Sequence, residues 1–530
     1  MYRKLKWRSQ VRKRDIKKLL GSDLAQNDKN FLSYAIERKE ILDELADPDN
    51  YLVILNAPRG SGKSGLILST ESFLKEYSKR NVIIKKYYEE VKFIRDVESI
   101  HEHVNFWKNS IFGWIVSNIG TEKNIAWTDD EMASVEYAES EGEKKLSFIG
   151  SILKRLKFKS LPIEKVDFDP LLTEATLSRI VKKAKRNYWL LLDEMDDLYS
   201  NSPDRNKSLV GLFQAANYIS SRFDNVKIRI TIRPHIYSYL KTNFDSIQKL
   251  RESVVKIGWT EDQLRTILAR RVEYYESGFV DSENEQLELS IEHEPLPNES
   301  KFKNIKERKI AYESNLIGRY FDDFDMKFVK GSGSNYRAFH TVSMERPRWM
   351  IEYCKIALEQ RPEGKRATTD CFKLAFAEYG RNRVDFVAGE FKEMYPELSA
   401  VINSIASART VKIGSYKSLR NLIKSRVFSN NIIPTPKDAT HDEINELALI
   451  VAKSLFVTEF IRAKQSLGGV GRDHRFYSYT LRPNLLDGWN KEKNISWEIH
   501  PTFARALNII DSGVYDKGGQ TRSFKKDNNR

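Results

Sequence analysis

The chain has 530 residues, 40% of them hydrophobic, a formal net charge of +14 and two cysteines. At roughly 100–200 residues per domain this length suggests about three domains, and no apolar run approaches the ~18 residues of a membrane span. The basic N-terminus lacks the apolar stretch of a secretory signal. Cys354 and Cys371 have neither metal-ligand spacing nor the density of a disulfide framework, so a reducing, cytoplasmic setting is expected.

The charge is unevenly placed. Residues 1–20 carry nine Lys/Arg and one Asp, a net +8, and residues 517–530 carry five Lys/Arg and one Asp, a net +4. Residues 272–300 carry nine acidic residues and no Lys or Arg. Basic ends and an acidic insert, not a basic body, therefore set the high isoelectric point. Basic arms can neutralise phosphates; solvated ends that keep the chain soluble are the other reading.

In chain order, a basic arm (1–30) precedes a helical stretch with Phe31, Ile36, Ile41, Leu42 and Leu45, which Asp47-Pro48-Asp49-Asn50 breaks. Leu52–Leu55 reads as a buried strand, followed by a glycine-rich turn and a helix through Leu66, Ile67, Phe73 and Leu74. A second strand is expected at Val82–Ile84 and a helix over 97–119. Residues 121–170 read as a polar insertion. A helix over 172–186 leads to strands at Trp189–Asp193, Ile228–Ile232 and Val254–Ile257. Strands alternating with helices predict a parallel sheet covered on both faces. Thr260 and Gln263 form a capping-box pattern. An acidic insertion near 277–300 and the Gly331–Asn335 segment follow, then helices opening at Arg346-Pro347-Arg348 and spanning about 369–394. Residues 400–510 combine helices near 415–426 and 441–454 with a strand pair, 456–464 and 475–481, around Gly468-Gly469-Val470-Gly471, and a last helix from Pro501. This pattern predicts a winged-helix-like domain, with a basic tail over 511–530.

Residues 57–64, Ala-Pro-Arg-Gly-Ser-Gly-Lys-Ser, carry the chemistry. Phosphates need closely packed donors. Backbone N–H groups supply them, Gly60 and Gly62 permit the curvature, and the following helix points its positive end at the ligand. Pro58, Arg59, Gly60, Ser61, Gly62, Lys63, Ser64 and Gly65 are the expected nucleotide-binding residues. Lys63 would reach the β- and γ-phosphates of ATP, and the Ser64 hydroxyl would ligate Mg²⁺. Ala57 departs from the strict glycine of the motif. Asp193, after four apolar residues, is expected at a strand end where it holds Mg²⁺, with Glu194 activating water. An acidic helix start is the alternative for this cluster. Arg233 and Arg348 are candidate γ-phosphate sensors, with surface ion pairing as the alternative; Arg270 and Arg271 are weaker candidates. His101-Glu102-His103 is expected on a solvated helix face, not as a metal site.

Taken in order, several segments resemble the prokaryotic P-loop ATPases of the AAA+/STAND group, in a branch often encoded in defence islands. They are Asn56–Ser64, Leu190–Asp196, Ile230–Pro234, Lys256–Thr260, His340-Thr341, Arg346–Trp349, Glu378-Tyr379 and Ile499–Phe503. The resemblance implies an α/β P-loop NTPase core (31–258), a helical lid (259–399) and a C-terminal winged-helix-like domain, with ATP-driven switching and a role in antiviral defence. The expected activity is ATP hydrolysis coupled to a partner, either DNA through the arm and the wing or a protein effector or self-assembly; a regulatory scaffold subunit is the alternative. The arm offers Arg3, Lys4, Lys6, Arg8, Arg12, Lys13 and Arg14, and the wing Lys464, Arg472, His474 and Arg475. Helicase motifs are absent, which disfavours a translocating motor.

Overall fold

The computed structural model describes the chain from Asp15 to Ile509, apart from residues 92–96, 98, 123–132, 136, 139–140, 142–173, 201, 282–303, 323–334, 467–473, 488–494 and 505. It divides into two compact units. One is built from Glu37–Pro58 and Lys63–Ile257, the other from Met1–Ile36, Arg59–Gly62 and Gly258–Arg530.

The first unit is an α/β layer structure around a five-stranded sheet: β1 (Leu52–Asn56), β2 (Asn81–Tyr87), β3 (Asn187–Asp193), β4 (Val226–Ile232) and β5 (Val254–Lys256). The spatial order is β2-β3-β4-β1-β5, and every pairing is parallel. Strands covered on both faces need apolar residues at successive positions, and β1 is buried at every residue. β4 is also wholly buried although its sequence alternates, Val-Lys-Ile-Arg-Ile-Thr-Ile. Its polar residues therefore need internal partners. Arg229, fully buried, donates through Nε to Leu45 O at 2.6 Å and through Nη2 to Asp47 O at 3.1 Å. It thus caps the carboxyl end of the Lys39–Ala46 helix, where open carbonyls favour a cation. Burial pushes its pKa down to about 9 against the pull of Asp47 and Glu44.

The helix Ile100–Glu122 buries His103, Trp107, Ile111, Phe112, Ile115 and Val116. The solvated face expected for the histidines is thus corrected for His103. It is fully buried, with Nε2 3.1 Å from Asp204 Oδ1 of the Pro203–Ser220 helix. The close approach of the two helices depends on Gly211, where a Cβ would lie 2.7 Å from the His103 Cβ.

In the second unit, Ile16, Leu19 and Leu20 of a short helix are buried. The basic residues proposed as an arm, residues 1–14, lie outside the described residues. The Glu261–Asp281 helix starts at the expected capping box: Gln263 N–H donates to Thr260 Oγ1 at 3.2 Å and Thr260 N–H to Gln263 Oε1 at 2.9 Å. Helices Ile305–Gly318, Asn335–Val342, Pro347–Glu359, Thr369–Glu390 and Leu398–Ala406 follow. The C-terminal part adds helices Tyr416–Ile423 and His441–Val457. A four-stranded sheet accompanies them, with β6 (Lys412–Gly414), β7 (Ile461–Ser466), β8 (His474–Tyr477) and β9 (Ile495–Ile499) in the antiparallel order β6-β9-β7-β8. Helices with a β7–β8 hairpin make a winged-helix-like arrangement. The expected strand 456–464 begins later, because the preceding helix runs to Val457 and Glu459 turns the chain with φ 57°. The β9 strand was not expected. Its Glu498 meets Arg462 of β7 in a buried pair, Nε to Oε1 2.8 Å. The glycine tip at 468–471, most of both insertions, the Gly331–Ser334 part of its segment and the tail lie outside the described residues. Among the described residues, no helix is long and apolar enough to cross a membrane.

Candidate nucleotide site

β1 ends at buried Asn56, and the chain turns before the Lys63–Tyr77 helix begins. Gly60 and Gly62 adopt φ of 80° and 85°, a region open to glycine at little cost. The space beside both is tight as well. A Cβ on Gly60 would lie 3.3 Å from the Trp349 ring, and one on Gly62 would lie 3.3 Å from the Trp259 ring. Ala57 is different. Its N–H donates to Ile232 O at 3.1 Å, continuing the β1–β4 ladder, and its φ is not positive. Nothing at position 57 calls for glycine. Pro58 and Arg59 are half-buried, Ser61 is buried with its carbonyl accepting Trp259 Nε1–H at 2.8 Å, and Gly65 is buried in the first helical turn. Lys63 Nζ donates to Ala57 O at 2.6 Å and Pro58 O at 3.3 Å, the loop's own carbonyls. Ser64, half-buried, is the second residue of the helix.

Asp193 ends β3 and is 1% exposed. Its Oδ1 accepts the Thr231 hydroxyl at 2.7 Å and the Glu194 N–H at 3.0 Å. Its Oδ2 is buried without a hydrogen-bond partner. Thr231 also accepts the Glu194 N–H, at 3.1 Å. It lies on β4, between β3 and β1, paired with Leu55. Thr231 was missed in the sequence, although a hydroxyl in an apolar strand beside Arg233 was a visible signal. Glu194 is exposed and left-handed, with φ 61°. Left-handed non-glycine residues are costly and collect at functional sites.

A buried carboxylate oxygen without a donor is expensive unless something else satisfies it. A divalent cation, or water bound to one, fits that need. Asp193 and Ser64 are the residues that would hold Mg²⁺ here.

Arg233 follows β4 directly, where expected, and makes the ion pairs that were its alternative reading. Its Nε donates to Asp196 Oδ2 at 2.7 Å and its Nη2 to Asp197 Oδ1 at 2.6 Å, with Arg233 and Asp196 both buried. Burial works against an ionised Asp196, but Arg233 and then Lys63 outweigh it and hold its carboxyl below the usual range. A sensor role would require this guanidinium to leave two carboxylates. Arg348 is half-buried, and its backbone N–H donates to Gly60 O at 3.3 Å. Trp259 and Trp349, which flank the two glycines, were quoted in the resemblance but given no role. Arg271 donates through Nη1 to Leu20 O and its guanidinium lies 4.6 Å from the Tyr34 ring. It serves the N-terminal packing. Arg270 pairs with Glu273 at 3.7 Å.

No protein-family model matches the sequence, and no curated protein matches it. Among solved structures, the chain is similar to the Aeropyrum pernix ORC2 protein in its ADPNP-ADP complexes, with 12% identity over 92% of this chain and 97% of that one and a TM-score of 0.43. It is also similar to the Aeropyrum pernix ORC1 protein in complex with DNA, with 12% identity, coverage of 90% and 96% and a TM-score of 0.33. What those proteins bind is a property of those proteins.

Proposed function

We propose that this chain is a Mg²⁺-dependent ATPase that works as a molecular switch. The observation that carries the reading is the unpartnered Oδ2 of Asp193 at the carboxyl edge of the parallel sheet, the edge from which the glycine loop also springs. Ligands of open parallel sheets bind outside that edge. In this reading the N–H groups of residues 60–65 cradle the phosphates, and Lys63 exchanges its contacts with Ala57 O and Pro58 O for phosphate oxygens. Ser64 and Asp193 hold Mg²⁺, which would neutralise charge on the β- and γ-phosphates. Glu194 takes the proton of the attacking water as the new O–P bond forms and the β–γ bridging O–P bond breaks. Arg348, whose backbone N–H meets Gly60 O, is kept as the proposed γ-phosphate sensor. The test is ATP turnover with and without Mg²⁺, in wild type and Asp193→Asn. Metal-dependent turnover that Asp193→Asn abolishes supports the reading; turnover indifferent to both overturns it.

The partner follows from charge. The β7–β8 hairpin carries Lys464 and, across from Gln465, Arg475. With the basic residues of 1–14, these groups suit a phosphate backbone, so DNA is the proposed partner, bound with steep salt dependence and little sequence preference. A deletion confined to residues 1–14 spares buried Ile16, Leu19 and Leu20. It should weaken DNA binding; full-strength binding, or none by the intact chain at low salt, would favour a protein effector. The role in antiviral defence rests on the motif resemblance.

A further inference from the structure

The link between the Asn335–Val342 and Pro347–Glu359 helices contains two left-handed residues in succession, Met344 at φ 52° and Glu345 at φ 60°. Such residues persist when their surroundings fix them. Here Val342 O accepts the Tyr379 hydroxyl at 3.1 Å and the Thr502 hydroxyl at 2.9 Å. Arg346, the next residue, forms a buried ion pair through Nη2 with Glu459 Oε2 at 2.8 Å. Glu459 occupies the turn that leads into β7, and its Oε1 accepts the Thr480 hydroxyl at 2.8 Å.

The Arg346 guanidinium also lies 4.0 Å from the centre of the Trp349 ring. Arg383 stands 4.6 Å from the same ring and is held by both oxygens of Glu352 at 2.5 and 2.6 Å. That tryptophan is the group against which Gly60 of the phosphate loop packs. An unbroken line of contacts therefore runs Gly60, Trp349, Arg346, Glu459, Thr480. Stability alone does not account for it. Arg346 Nε and Nη1 and Trp349 Nε1 are all buried without partners. A buried ion pair with donors left over is commonly matched or bettered by apolar side chains.

We propose that Arg346 is a positioning residue. Held by Glu459, it seats Trp349 against Gly60, and so ties the conformation of the phosphate loop to that of the turn that starts β7. The proposal rests on the nucleotide reading above and adds its direction of transmission. By linkage, nucleotide on the loop changes the affinity of the β7–β8 hairpin for its partner, and that partner changes nucleotide affinity by the same factor.

The experiment follows hydrogen exchange of peptide 456–466 with and without a non-hydrolysable ATP analogue, with calorimetric affinity measured on the same samples. Arg346→Met keeps an unbranched apolar side chain beside Trp349 but is shorter and removes the charge, and Glu459→Gln keeps an acceptor for Thr480. In wild type the analogue should slow exchange of this peptide several-fold. In either variant the analogue should still bind within about tenfold of wild type, a shift of ~1.4 kcal/mol, while the response of 456–466 is lost. Should a single variant unfold, Arg346→Met/Glu459→Gln, which leaves no charge of the pair unmatched, decides the matter. Wild type that binds the analogue without a change at 456–466 overturns this proposal alone, as does a double variant that keeps the change. Wild type that binds no nucleotide brings down the nucleotide reading with it.

Discussion

Two aspartates three positions apart, Asp193 and Asp196, share the carboxyl edge of one sheet and are both almost fully buried. Their surroundings are opposite. Asp196 is met by the Arg233 guanidinium, which also takes the Asp196 carbonyl at 3.1 Å and Asp197. Asp193 has two neutral donors on one oxygen and nothing on the other. A carboxylate whose charge is balanced inside the protein is a piece of the framework. One with a buried oxygen that no protein donor meets is the candidate cation ligand of the proposal above.

The comparison can be broken most sharply at the loop. Lys63→Ala should abolish tight ATP binding, and wild-type affinity by calorimetry would remove the loop from the site. Next comes Asp196→Ala, which strands Arg233. Loss of one partner of a buried pair costs about 3–5 kcal/mol, at the low end here because Asp197 stays; chemical melts should show it. Asp193→Asn should stay within about 1 kcal/mol of wild-type stability, so equal destabilisation of the two variants would erase the contrast. Glu194→Gln keeps shape and loses the base, so binding should persist while turnover falls by roughly 10²-fold. An unchanged single-turnover rate would assign the base elsewhere. Arg348→Ala should lower the preference for ATP over ADP by about tenfold, or ~1.4 kcal/mol; equal losses for both nucleotides would make it structural.

The smallest effect concerns a third buried charge site. His500 is buried, and its burial, then Arg462 and Arg346, hold its pKa well below the ordinary 6.5. The unfolded chain therefore binds its proton first. Its contribution is complete above 6.5 and is lost as pH falls below that value toward the folded pKa. Between pH 6.5 and 5.5 this amounts to about 1 kcal/mol, and His500→Gln should flatten the melting curve over that interval.

Much of the framework that carries the candidate site was legible because its physics is local. An apolar run before a glycine turn, and another before Asp-Glu, fix strand, edge and side chain within a few residues. β1, β3 and β4 fall where expected, each with slightly extended ends. What escaped depends on distant partners. His103 looked solvated until Asp204 was brought beside it, and Arg233 looked available until Asp196 and Asp197 turned back on it. Ile16, Leu19 and Leu20 were masked by the charge around them. Trp259 and Trp349 gain meaning only from the glycines that they meet.

The order of the two units along the chain bears on how the protein is made. Leu20 O receives its hydrogen bond from Arg271, 251 residues later, and Asp23 meets Lys355 Nζ at 2.5 Å, 332 residues later. The parallel sheet is complete by Lys256, before those partners have been synthesised. At roughly 5–20 residues per second, the N-terminal segment waits on the order of 10–50 s on the ribosome for Arg271 alone. During that interval the apolar Ile16, Leu19 and Leu20 lie beside Lys17 and Lys18 in sequence without the later helices that bury them. The strands of the parallel sheet are all present once Lys256 has been added, whereas the helix Ile16–Leu20 packs with residues that come later.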